Sequence, residues 1–297
     1  MKCSDEKLIV LHPEDQMRFW NFKEFESIPT LTDYTLVSVG SDLPKIFELY
    51  NNIVLLLWEE PNDFWVPSIE QLVKANYDKI HKLISNCPYS TRFYNELYGS
   101  DKRICGFNPF NIKNIPTDFI KLYDVYFTGH VFHDFIGGII NTIEKFNNCI
   151  VSFNYNSHRG ATFREKIQFN ANSKISVVWN CLYETSGIPM DERYPKHEAF
   201  KNLKKCRFTP QVKTRTLEAA ACKSVILCHF EEFRIIETMF TPDKDFIYWY
   251  NTTDLEEKIR EVLRNYDKYT HLAEHAHQTL INNWTTYHFF EKYLRNL

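Results

Sequence analysis

The 297-residue chain has no CxxC pair among its eight cysteines, no apolar run of bilayer length and no excess of positive charge. Each absence excludes something. Scattered cysteines inside apolar runs such as "SVILCHF" and "NNCIVSF" read as free buried thiols of a reducing compartment, not as a disulfide framework. Without a long apolar run there is no transmembrane segment to expect. A net charge of -3 is wrong for a dedicated nucleic-acid binder, whose field is strongly basic. The first residues, MKCSDEK, are charged and lack the apolar core of a signal peptide. No short-period repeat is present. The expectation is a soluble cytoplasmic protein with no nucleic-acid partner.

What the chain does have is hydrophobic residues, 44% of the total, arranged as strands alternating with helices. In the first third, residues 7–12, 34–40, 52–60 and 77–85 read as strands, and 43–50 and 88–97 as helices. Asp42 is placed to cap the first helix, whose buried face is Leu43, Ile46, Phe47 and Tyr50. The uninterrupted apolar run Ile53 to Trp58 is how a strand covered on both faces of a parallel sheet reads. Residues 107–122, with two prolines and several asparagines, read as a linker. A second series follows: strands 123–129, 149–155 and 174–180, helices near 131–146 and 161–171, a polar loop over 181–212, and then strand 245–250. A helix after it carries Leu255, Ile259, Val262 and Leu263 on one face, with Thr253 and Glu256 expected as its capping box. This order predicts an α/β protein of two Rossmann-like, doubly wound parallel-sheet domains facing across a cleft, at residues 1–115 and 116–297. The final helix is free to pack back on the first domain.

The stretch "KTRTLEAAACKSVILCHF", Lys213 to Phe230, concentrates the chemistry. Cations open an alanine-rich helix that leads into an apolar strand. Ligands of open parallel sheets sit at the carboxyl ends of strands, beside the helix amino termini, and those termini favour phosphate. Lys213, Thr214 and Arg215 stand at such a terminus, and a guanidinium chelates phosphate oxygens two at a time. Glu218, one turn on, suits a pair of hydroxyls such as a ribose diol. Together they point to a nucleotide diphosphate; an ordinary solvated helix start with a capping glutamate is the other reading of the same spacing.

Further resemblance joins these residues. "TRTLEAAACKSVILCHFEEF", with "FTPDKDFIYWYNTTDLEEKIREVLRNYDKYTHLAEHAHQTLINNWT" after it, resembles the carboxyl-terminal domain of GT-B glycosyltransferases, most nearly the spore-coat-protein-like glycosyl transferase group. The likeness covers about residues 123–297; the first 115 residues resemble the family in architecture and in phrases such as "YDKIHKLISNCPYSTRFYN". It implies that Glu218 binds the donor ribose and that Arg215 holds the diphosphate. Two positions depart from the pattern. A glutamate that related retaining enzymes carry is Pro210 here, which leaves the stereochemistry open, and the usual glycine after the alanine-rich helix is Lys223.

The resemblance also places the loop at Gly129 and His130 near the donor diphosphate; a tight strand–helix turn is the plainer reading. An inverting enzyme needs a general base on its acceptor. Glu60, after the buried strand of the first domain beside Glu59, is the first candidate, and His12 near Asp15 the second; each is also read as a solvated loop residue. The expected activity is metal-independent hexosyl or pentosyl transfer from a nucleotide-diphosphate sugar to a glycan or other hydroxyl acceptor, with no cofactor. A nucleotide-sugar epimerase of the same fold and a non-catalytic sugar-nucleotide or glycan-binding module are the alternatives. No metal is expected: His271, His275 and His277 lack a convergent carboxylate, and the D-x-D of Asp243 and Asp245 precedes a strand instead of ending one.

Overall fold

The computed structural model describes residues 8–11, 21–26, 28, 33–38, 42–57, 69–130, 134–154, 161–183 and 208–297. The chain divides into two compact units. One comprises Met1–Asn111, Leu182–Gln211 and Thr286–Leu297, the other Ile112–Cys181 and Val212–Thr285.

In the first unit β1 (Leu8–Leu11), β2 (Tyr34–Ser38), β3 (Ile53–Leu57), β4 (Ile80–Ser85) and β5 (Arg103–Cys105) form one parallel sheet in chain order. Every residue of β3 is fully buried, because a parallel strand between two others is covered by helices on both faces. The intervening helices are α1 (Leu43–Leu49), α2 (Ile69–Ala75) and α3 (Pro88–Tyr98). Asp42 caps α1 by accepting from the Lys45 N–H, and Leu43, Ile46 and Phe47 face a core shared with Val37, Leu55 and Val73. Segment Thr286–Leu297 returns to this unit as α9 (Thr286–Phe289) followed by a π turn (Phe290–Leu294). Phe289, Phe290 and Leu294 are fully buried. The Phe290 ring stacks on Phe25 at 4.5 Å, and the Tyr34 hydroxyl donates to the Leu294 carbonyl at 2.8 Å.

In the second unit β6 (Tyr123–His130), β7 (Cys149–Asn154), β8 (Ser173–Val178), β11 (Val225–His229) and β12 (Phe246–Trp249) form a parallel sheet ordered β12-β11-β8-β6-β7. Its helices are α4 (Asp134–Ile143), α5 (Phe163–Ala171), α6 (Thr214–Ala221), α7 (Thr252–Arg264) and α8 (Tyr266–Asn283). Strands β9 (Cys181–Tyr183) and β10 (Phe208–Pro210), which belong to the first unit apart from Cys181, pair with each other, so the ends of the expected 181–212 loop are strands. Two α/β units with parallel sheets agree with the fold class expected from the alternation of strands and helices.

The capping box expected at Thr253 and Glu256 is not formed. Asn251 caps α7 instead, accepting the Asp254 N–H at 3.0 Å. An asparagine one residue outside the helix captures the first-turn donor, and Glu256 turns outward to Lys145 and Arg260. Leu255, Ile259 and Val262 are buried as expected, whereas Leu263 is only half-buried. Cys87, Cys181, Cys222 and Cys228 are buried and outside any disulfide, but Cys105 is exposed; Cys3 and Cys206 lie outside the described residues. Among the described residues no helix is long and apolar enough to cross a membrane.

Candidate functional site

All five strands of the second sheet run the same way, so their carboxyl ends share one edge. Three of them deliver Gly129 (β6), Asn180 (two residues past β8) and His229 (β11) to that edge, and α6 begins beside them.

Helix α6 lies close on the sheet because Ala219, Ala220 and Ala221 are fully buried and take little room. Its exit is a Schellman turn: the Ser224 N–H reaches the Ala219 carbonyl at 3.1 Å and the Lys223 N–H the Ala220 carbonyl at 3.2 Å. Lys223 has φ 49°, the left-handed conformation that glycine accepts without cost. The lysine departing from the expected glycine therefore keeps the turn, and its ammonium pairs with Glu274 at 2.8 Å.

At the other end Lys213 occupies the capping position without capping by its side chain. Asn180 supplies the missing acceptor. Its Oδ1 accepts from the Lys213 N–H and from the Thr216 hydroxyl, both at 2.8 Å, and its amide nitrogen faces the Cys228 sulfur at 3.5 Å. Cations at a helix amino terminus oppose the macrodipole by about 0.3–1 kcal/mol each. Lys213 is nonetheless buried there, and Arg215 follows two residues later.

Arg215 reaches the carboxyl end of β6. A Cβ built on Gly129 would lie 2.7 Å from its Nη1, so only glycine leaves that guanidinium its place. The same group sits 5.1 Å from the centre of the Trp179 ring, which in turn packs 5.6 Å from Phe127. Glu218 is buried. Burial pushes its carboxyl above the ordinary range, opposed by Lys166, Arg215 and a hydrogen bond from the Thr214 hydroxyl. Tyr126 of β6, hydrogen-bonded to Ser152 at 3.1 Å, has its phenol pushed up chiefly by burial, with Glu218 contributing. His229 packs 4.5 Å from the Trp249 ring, and burial pulls its imidazole down to about 4, so it is neutral at physiological pH.

Of the residues singled out in the sequence, Lys213, Thr214, Arg215, Glu218 and Gly129 are thus gathered at α6 and the end of β6. His130 ends β6, but its side chain lies outside the described residues, as do His12, Glu59 and Glu60 entirely. Asn180, Trp179 and Lys166 are neighbours that sequence reasoning did not single out. The terminal position of Asn180 after an apolar strand was its one available signal.

The acidic and histidine clusters serve structure. Buried Asp245 accepts from the Thr241 N–H at 2.7 Å and the Thr279 hydroxyl at 3.0 Å, and meets Nδ1 of His275. His277 donates from Nδ1 to the Ala220 carbonyl at 3.1 Å, and His271 is exposed. Among the described residues no three His, Cys, Asp or Glu side chains are grouped to hold a metal ion.

Residues 155–295, a little under half of the chain, match the family model described as glycosyl transferase-like. No curated protein matches the sequence. Among solved structures, a mutant of S. aureus TarM in complex with fondaparinux, alpha-GlcNAc-glycerol and UDP is similar at 13% identity and TM-score 0.58, over 88% of this chain and 54% of that one. Anabaena HepE with UDP and glucose is similar at 11% identity and TM-score 0.57, over 88% of this chain and 76% of that one. HepE with UDP-glucose gives 12% and 0.51, over 96% and 89%. The chain spans about half the length of the TarM structures it matches.

Proposed function

We propose that this chain, whose fold is GT-B and whose residues 155–295 carry a glycosyl transferase-like sequence pattern, is a glycosyltransferase using a nucleotide-diphosphate sugar. One observation carries the reading. The helix that brings Arg215 against Gly129 at the carboxyl end of β6 also holds Glu218 one turn later. Arg215, Lys213 and the start of α6 neutralise the diphosphate; Glu218 takes the ribose hydroxyls. During transfer an acceptor oxygen forms its bond to the sugar's anomeric carbon while the bond from that carbon to the diphosphate oxygen breaks. Charge then develops on the leaving diphosphate, where these fixed cations act. If transfer inverts the anomeric carbon, the acceptor proton goes to a base of the first domain, with Glu60 and then His12 as candidates. Because TarM and HepE were solved with UDP, with GlcNAc or glucose groups alongside, a UDP-hexose is the first donor to test and a glycan hydroxyl the first acceptor.

The test is a thermal-shift screen against UDP-, GDP- and dTDP-sugars. A true donor at 100 times its dissociation constant adds about 2.7 kcal/mol of stability. Arg215→Lys keeps the charge and loses the fork, so diphosphate affinity falls while the stability of the ligand-free protein holds. Transfer in EDTA stays within about twofold of transfer with manganese, a barrier difference under roughly 0.5 kcal/mol. If chelation abolishes transfer and manganese restores it, the cations at α6 are not what neutralises the leaving group.

A further inference from the structure

We infer that Asn180 is a positioning residue of the donor site: by anchoring the first turn of α6 to the end of β8, it sets where Arg215 meets the diphosphate. The inference rests on the donor-site reading above and adds a residue which that reading does not contain.

The geometry is specific. A backbone N–H only donates, so the amide atom facing Lys213 must be the oxygen, and this fixes the orientation of the side chain. That oxygen spends its two lone pairs on Lys213 N–H and Thr216 Oγ1, each at 2.8 Å. The anchored residues bracket Arg215, one on each side in the same helical turn. The amide nitrogen faces Cys228 of β11 at 3.5 Å. One buried side chain therefore ties the ends of two neighbouring strands to the helix start. Helices are ordinarily held at this point by a Ser, Thr, Asp or Asn of their own. Here the capping position is given to a cation, and the acceptor comes from the strand.

A guanidinium fork must be placed to within a fraction of an ångström to engage two oxygens at once. Loosening the turn that carries Arg215 should therefore reduce the extra affinity contributed by the second phosphate more than it reduces binding of a monophosphate. A residue needed only for folding would lower stability and leave that ratio alone.

The experiment measures the dissociation constants of UDP and UMP by calorimetry for the wild type, Asn180→Ala, Thr216→Val and the double variant, at a temperature where all are folded. GDP and dTDP, with their monophosphates, serve as parallel probes. Asn180→Ala leaves two donors without their acceptor and is expected to weaken UDP by about tenfold or more, with UMP changed by less than about threefold. Thr216→Val removes one anchor, keeps the other, and gives an intermediate loss. Because both changes act through the same turn, the double variant should resemble Asn180→Ala instead of summing the two. If the wild type binds diphosphates and both single variants keep its UDP-to-UMP ratio, Asn180 does not position the site and the donor reading stands. Should Asn180→Ala fail to fold, an unchanged ratio in Thr216→Val overturns the inference by itself. If the wild type binds none of the diphosphates, the donor reading falls and this inference falls with it.

Discussion

A buried carboxylate is an expensive residue to keep, and Glu218 is one. Burial raises its pKa in the folded state, so between the ordinary carboxylate value and the raised one the native protein binds more protons than the unfolded chain. Its contribution to stability is therefore greatest at low pH and declines as pH rises through the folded value. Glu218→Gln removes that dependence. Without ligand, the variant is expected to match the wild type in melting temperature below about pH 4.5 and to become the more stable of the two as pH rises. The same variant should bind the nucleoside diphosphate more weakly, by roughly 1–3 kcal/mol, since a neutral amide is a poorer acceptor for paired hydroxyls. Melting curves against pH and calorimetry at pH 7 check the two halves. A variant less stable than the wild type at neutral pH would mean that the Thr214, Lys166 and Arg215 interactions outweigh the desolvation of the carboxylate.

The elements of this chain divide by how local their causes are. Strand β3 is readable because the uninterrupted apolar run Ile53 to Trp58 has the length and character of a strand covered on both faces, and α1 because Asp42 stands before a helical apolar period. Helix α7 shows where local reading stops. The sequence pattern points to a box at Thr253 and Glu256, whereas the cap is Asn251, two residues before Thr253. Asn251→Ala is expected to cost about 1 kcal/mol, and Thr253→Ala only a few tenths; urea denaturation separates them, and equal costs would return the cap to Thr253. Strand β5 went unread because three residues, "RIC", carry too little period. The candidate site was legible to a similar depth. Lys213, Arg215 and Glu218 announce themselves by charge within an alanine-rich helix. Asn180 does not, because its partners lie 33 and 36 residues away and only the packed sheet brings them together.

At the scale of the whole molecule, the feature with the longest reach is the return of Thr286–Leu297 to the unit built mainly from Met1–Asn111. Phe289, Phe290 and Leu294 each bury a side chain worth about 1.5–3 kcal/mol. A chain ending at Thr285 is expected to lose amide protection in β2 and β3 while β8 and β11 keep theirs. Hydrogen exchange resolved by segment would show it, and equal loss in both sheets would mean that the two units unfold as one.

That same return bears on how the protein is made. A ribosome delivers the chain from its amino end, and domains generally fold in the order in which they emerge. Here that order is inverted. The unit that appears first waits for Thr286–Leu297 to complete its core, whereas the described strands of the second unit are made by Trp249 and its described helices by Asn283. Until Thr286–Leu297 emerges, the early sheet therefore stands with Phe22 and Phe25 lacking the Phe289 and Phe290 rings that later cover them, the kind of apolar surface that chaperones hold during synthesis.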